Sequence, residues 1–146
     1  PPAPPRYVPP PAADADDDEE ASALVPHVLV ADDEREAALL MADYLRARGN
    51  RVTIAQDGEQ ATEAFMRDPA DVLVTDLRMP RCDGRNLIVR LRAHVPDLPV
   101  VVVTGHVGEQ EARALEADDD VAAVLRKPVS LARVADLVEE LFAASA

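Results

Sequence analysis

Asp32-Asp33, Asp76, Thr104 and Lys127 are the residues of this chain best suited to chemistry, and each lies at the end of a short apolar run. Three carboxylates brought together repel; they ionise together only if a cation compensates, and otherwise at least one pKa rises. Lys127 is the single Lys among 15 cationic side chains. It offers a compact point charge where Arg would offer a planar fork. Oxygen-only ligands at an open site favour Mg²⁺, which keeps several waters and binds through one or two carboxylates plus phosphate oxygens. A carboxylate so placed can attack phosphorus and become an aspartyl phosphate. In that chemistry Asp76 is the nucleophile and Thr104 hydrogen-bonds a phosphoryl oxygen. Lys127 neutralises another oxygen or holds the free carboxylate.

Each residue taken singly has a plainer reading. An Asp-Asp pair after a strand is often a helix N-cap. Asp71 and Asp76 could be solvated strand ends, Thr104-Gly105 a common turn, and Lys127-Pro128 a common dipeptide. Only their joint placement at one edge of a sheet favours the chemical reading.

That placement depends on the elements between them. "HVLVA", "RVTIA", "DVLVT", "PVVVVT" and "VAAVLR" have strand length and composition. They alternate with helical patterns: "REAALLMADYLRARG" stopped by Gly49, "GEQATEAFMRDP" closed by Asp68-Pro69, and "RNLIVRLRAHVP" with Leu87, Leu91 and Val95 on one side. "GEQEARALEA" follows, and then a last helix capped by Ser130, with Leu131, Val134, Val138 and Leu141 on one face. Strands 1, 3 and 4 are nearly pure Val and Leu, so both faces must be covered, as in a parallel sheet between helices. Right-handed crossovers then give an open, doubly wound α/β fold. Its ligands bind beyond the carboxyl ends of the strands, which is where the Asp, Thr and Lys residues fall.

Composition narrows the function. A formal charge of -13 argues against direct nucleic-acid binding and against contact with anionic membrane. No apolar run is long enough for a membrane span, and no signal-peptide pattern is present. A single Cys suits a reducing compartment, and a cytoplasmic location is expected. Cys82 is expected to be a solvent-accessible bystander thiol. His27 and His94 lack metal-ligand spacing to another His or Cys. Residues 1–23 are Pro-rich, then acidic through Asp14, Asp16, Asp17, Asp18, Glu19 and Glu20. They read as a disordered linker, leaving residues 24–146 as one domain.

In order and near family spacing, "VLVADDE", "DVLVTDLRMPRCDG", "PVVVVTGH" and "VLRKP" resemble the receiver domain of bacterial response regulators, of the CheY type. The resemblance covers about residues 25–143. It implies a flavodoxin-like five-stranded sheet of order 2-1-3-4-5 with five helices. It implies that Asp76 is the phosphoacceptor, taking its phosphoryl group from a phosphohistidine on a histidine kinase or histidine phosphotransfer domain. Mg²⁺ would be held by Asp33 directly, by Asp32 through water, by Asp76, and by the backbone carbonyl of Arg78. Thr104 and Lys127 would read the phosphoryl group, and the Lys127-Pro128 bond would be cis. A monomer or weak dimer is expected.

Departures from the family pattern bear on switching. Val124 stands where the family often has a Tyr or Phe that swings inward, so the usual coupling of Thr104 to an aromatic ring is absent. Asp118-Asp119-Asp120 replaces the usual Gly-Ala turn. Arg78 and His106 occupy the two places that flank the phosphoryl group. Changes on phosphorylation are therefore expected in residues 104–112, with little at Val124.

Two rivals differ in kind. A haloacid-dehalogenase-type phosphatase also uses an Asp nucleophile, but needs a second Asp two positions on, where this chain has Arg78. A degenerate receiver acting only as a binding module would not need the full acidic set. The amino-side linker and the initial Pro point to the carboxyl-terminal receiver of a hybrid histidine kinase, with a stand-alone regulator as the alternative.

Overall fold

The computed structural model describes residues 25–105, 109–117 and 121–145. The linker expected over residues 1–23, His106 and the Asp118-Asp119-Asp120 run lie outside the described residues.

Five strands and five helices alternate along the described residues. They are β1 (His27–Ala31), α1 (Arg35–Ala47), β2 (Arg51–Ala55), α2 (Gly58–Arg67), β3 (Val72–Thr75), α3 (Gly84–Arg92), β4 (Val100–Thr104), α4 (Glu109–Ala117), β5 (Ala123–Arg126) and α5 (Leu131–Ser145). The sheet has the order β2-β1-β3-β4-β5, and every pairing is parallel. This is the doubly wound, flavodoxin-like architecture expected from the sequence.

Successive side chains of a strand point to opposite faces, and the core divides accordingly. Leu29, Leu73, Val100 and Val102 pack with Phe65 of α2, Leu87 and Leu91 of α3 and Leu115 of α4. Val28, Val30, Val72, Val74, Val101 and Val103 face the other way, against Met41 and Leu45 of α1 and Val134 and Val138 of α5. β1, β3 and β4 are buried at every position, which is why their sequences run apolar instead of alternating. Fully burying each Leu or Val contributes about 1.5–3 kcal/mol.

α3 and β5 end or begin well inside their sequence patterns. α3 stops at Arg92 although Val95 continues the apolar stripe. Arg92 caps that end from within, donating to Pro96 O at 3.0 Å and to Leu98 O, and Pro96 disfavours helix before it. β5 starts only at Ala123. It is an edge strand, half-buried, and edge strands are commonly kept short.

Candidate functional site

Asp32, Asp76 and Lys127 each sit one step past a strand, in places the sheet's own hydrogen bonds fix. Asp32 N donates to Ala55 O at 3.0 Å, Asp76 N to Ala31 O at 2.9 Å, and Lys127 N to Thr104 O at 3.0 Å. The parallel ladder thus runs one residue beyond β1, β3 and β5 and locks these backbones in register. Thr104 is the last residue of β4 and is almost wholly buried.

The side chains converge. One carboxylate oxygen from each of Asp32, Asp33 and Asp76 lies within 4.8 Å of the others. Asp32 and Asp76 are buried and Asp33 is exposed. The Lys127 ammonium bridges the two buried acids, with Nζ 2.9 Å from Asp32 Oδ2 and 2.9 Å from Asp76 Oδ2. Glu34 Oε1 lies further out, at 3.6 Å. The Lys127-Pro128 bond is cis, as the resemblance implied.

Charge sets the protonation of this cluster. Burial raises the Asp32 pKa, and the Glu34 N–H and Lys127 only partly offset it. For Lys127, burial pulls downward, but its bonds to Asp76 and Asp32 outweigh burial and hold the ammonium well above its ordinary range. Lys127 therefore stays charged, and the unfavourable effect of burial falls on Asp32.

Smaller contacts aim the rest. Asp32 Oδ1 accepts from Glu34 N at 2.9 Å. Glu34 occupies the N-cap of α1 without a side-chain cap bond, so Asp33 does not serve as a helix cap and its carboxylate remains with the acid cluster. Arg78 N donates to Asp76 Oδ1 at 3.2 Å, and Thr75 Oγ1 donates to Asp76 O at 2.8 Å. Thr104 Oγ1 is buried with no hydrogen-bond partner among the described residues. Leaving a buried hydroxyl unpaired costs about 1–3 kcal/mol, so a ligand oxygen that reached it would be favoured. Three hard carboxylate donors with one exposed side fit a divalent cation such as Mg²⁺ in donor type and openness.

Val124 lies opposite Val102 in the β4–β5 register and packs, half-buried, on the core beneath α2, α3 and α4. It has no polar atom to couple to Thr104.

One expectation is corrected. Cys82 is buried, at 1 % exposure, not solvent-accessible. The loop after Asp76 folds back on the start of α2, where a Cβ on Gly58 would overlap Cys82 O and Cys82 Cβ. Burial raises the thiol pKa above its ordinary value. Asp57 completes the contact and was not anticipated. It caps α2 through Gln60 N at 2.8 Å and accepts from Arg81 Nη1 at 3.1 Å, while Arg81 takes a left-handed φ of 70°. An Asp before a Gly at a helix start was the available signal, but it predicts the cap and not the loop that lands on it.

Comparison with known proteins agrees with this fold. Residues 28–139 match the family described as response regulator receiver domain. A response regulator receiver protein of Anaeromyxobacter sp. (strain Fw109-5) is 36% identical over 109 residues, covering 75% of this chain and 45% of that protein. The sensor histidine kinase RcsC of Salmonella typhimurium is 37% identical over 93 residues, covering 63% of this chain and 10% of the kinase. The chain thus spans less than half the length of these curated relatives. Among solved structures, the receiver domain of a Francisella response regulator superposes with a TM-score of 0.71 at 28% identity, covering 83% of this chain and 99% of that one. A response regulator receiver domain protein from Clostridium thermocellum gives a TM-score of 0.75 at 24% identity, with 83% and 97% covered.

Proposed function

The chain belongs to the response regulator receiver family of two-component signalling, and from that premise we propose that Asp76 accepts a phosphoryl group from a phosphohistidine. The observation that carries this reading is the Lys127 ammonium, 2.9 Å from both Asp32 and Asp76, just past the strand paired with Thr104, whose buried hydroxyl has no partner among the described residues.

An Asp76 carboxylate oxygen attacks phosphorus. The new P–O bond forms as the P–N bond to the donor imidazole breaks, and the imidazole nitrogen leaves with the electron pair. Lys127 lets the nucleophile stay ionised among other acids and then meets a phosphoryl oxygen. Thr104 Oγ1 donates to another. Asp32 and Asp33, with Asp76 and the Arg78 carbonyl, would hold Mg²⁺, which when bound neutralises phosphoryl charge during transfer. Asp32, raised by burial, gains from that second cation.

The donor is a histidine kinase or histidine phosphotransfer domain, and this segment binds neither nucleic acid nor membrane. Among the described residues no helix is long and apolar enough to cross a membrane. The segment works as a monomer or weak dimer in the cytoplasm. Its preferred setting is a hybrid kinase, as the likeness to the sensor histidine kinase RcsC supports. A stand-alone regulator is the second reading, supported by the likeness to the Anaeromyxobacter receiver protein.

A small phosphodonor and Mg²⁺ test the acceptor. One acid-stable, base-labile phosphate should be added to the native chain and none to Asp76→Asn. Undiminished labelling of that variant overturns the assignment.

A further inference from the structure

α3 starts against the phosphoacceptor. Gly84 N donates to Leu77 O at 2.9 Å, and a Cβ on Gly84 would overlap the Asp76 carbonyl oxygen. Arg85 follows directly, so its side chain springs from backbone that adjoins Asp76. Its guanidinium Nη2 donates to Glu111 Oε2 of α4 at 3.2 Å. Both residues line a cleft of about 520 Å³, which Asp33, Arg78 and Asp83 also line. Arg85 therefore shares one cavity with a member of the acid cluster while engaged to a different helix.

That engagement is weak. The Arg85 and Glu111 side chains are 50% and 41% exposed, and exposed pairs of this kind contribute about 0–1 kcal/mol. A phosphorylated Asp76 changes the balance. A phosphoryl group replaces the single carboxylate charge with about -1.5 to -2, a gain of at most about one, and offers three acceptor oxygens, and a guanidinium meets such oxygens in its preferred forked geometry. Glu111, once left, remains in water and loses little.

We infer that Arg85 is a phosphoryl-reading residue held in reserve by Glu111: on phosphorylation of Asp76 it leaves Glu111 for a phosphoryl oxygen, and its departure releases α4. This rests on the reading of Asp76 as phosphoacceptor and adds a residue to it. The same exchange lets Arg85 meet the incoming phosphoryl group during transfer.

The test uses the full 146-residue chain with acetyl phosphate and Mg²⁺, following phosphate addition by mass spectrometry. Losing one charge-assisted bond in the transition state should make Arg85→Ala about tenfold slower. Glu111→Gln frees Arg85 and should raise the rate roughly threefold. The double variant should be as slow as Arg85→Ala, and Arg85→Lys should recover part of the rate. Amide spectra give a second readout. In Arg85→Ala without any phosphoryl group, α4 amides should move in the direction that beryllofluoride moves them in the native chain. Native labelling rates in Arg85→Ala overturn the proposal. Equal slowing by Glu111→Gln and Arg85→Ala also overturns it, because the pair would then be a brace. Failure of the acceptor reading is recognised separately, by labelling that survives in Asp76→Asn.

Discussion

The two rims of the sheet both bury polar residues, and they do so in opposite ways. At the amino-end rim His27 is 2% exposed and fully engaged. Its N–H donates to Asp71 Oδ2 at 2.8 Å, its Nδ1 lies 3.0 Å from Pro69 O, and its Nε2 lies 2.7 Å from Thr53 Oγ1. A carbonyl can only accept, so Nδ1 carries the hydrogen and Nε2 accepts from the Thr53 hydroxyl while the ring is neutral. Arg51 pairs with Asp68 at 2.7 Å alongside. At the carboxyl-end rim three acids cluster and Lys127 bridges only the two buried ones, and the Thr104 hydroxyl has no partner among the described residues. A structural polar cluster closes its own accounts in hydrogen bonds. A cluster prepared for a ligand keeps unspent donors and crowded like charge.

The sharpest break of this contrast is at Asp76. Asp76→Asn should eliminate phosphorylation while thermal unfolding stays at or above the native midpoint, because removing one of three clustered charges relieves repulsion. Mass spectrometry and a melting curve on the same sample check both halves. Asp33→Ala should come next, with phosphorylation reduced to background, as it should also be when the native chain is treated with a chelator. Calorimetric titration should show weak Mg²⁺ binding in the native chain and none in the variant. Retained Mg²⁺-dependent labelling of Asp33→Ala would remove Asp33 from the metal site.

The other rim should answer in stability alone. His27→Ala leaves the Pro69 carbonyl and the Thr53 hydroxyl unpaired and opens a cavity, at a cost of about 2–4 kcal/mol by urea unfolding. The folded fraction should still be labelled at Asp76. A loss of labelling without a loss of stability would show that the rims are coupled. The smallest effect concerns Asp68, whose hydrogen bond to Arg51 lowers its pKa below the ordinary 3.8. A lowered acid adds stability above its unfolded pKa and loses it as pH falls through the folded value. Asp68→Asn should therefore cost at most about 0.5 kcal/mol at neutral pH, given solvent screening, and nothing in strong acid. Denaturant midpoints of the two proteins at pH 7 and near pH 2 measure the difference.

The carboxyl-end rim was legible in the sequence because its members are strand ends. Once "HVLVA", "DVLVT" and "PVVVVT" are strands, Asp32, Asp76 and Thr104 have nowhere else to go. Lys127 was legible through its residue type and neighbour. What escaped lies in loops and between helices. Burial of Cys82 depends on a loop folding back on Gly58, and no periodicity records that. The Arg85–Glu111 pair joins residues 26 apart on helices whose spacing only the packed sheet decides. The end of α3 escaped for a local reason: Val95 keeps the apolar rhythm after the helix has stopped, because it still packs on the core as a loop residue.

The two glycines that open α2 and α3 carry a consequence for how such a domain can diversify. Gly58 and Gly84 each face backbone in the segment at or after the end of β3, with no room for a Cβ. Those contacts fix where the segment lies whatever its outward side chains are. Arg78, Arg81 and Arg85 all project from it as exposed residues. Mutation can therefore rewrite the outward face residue by residue, changing what that face meets. The acids beneath need not be rebuilt each time. Descendants of one gene could in this way acquire separate partners while keeping a common chemistry.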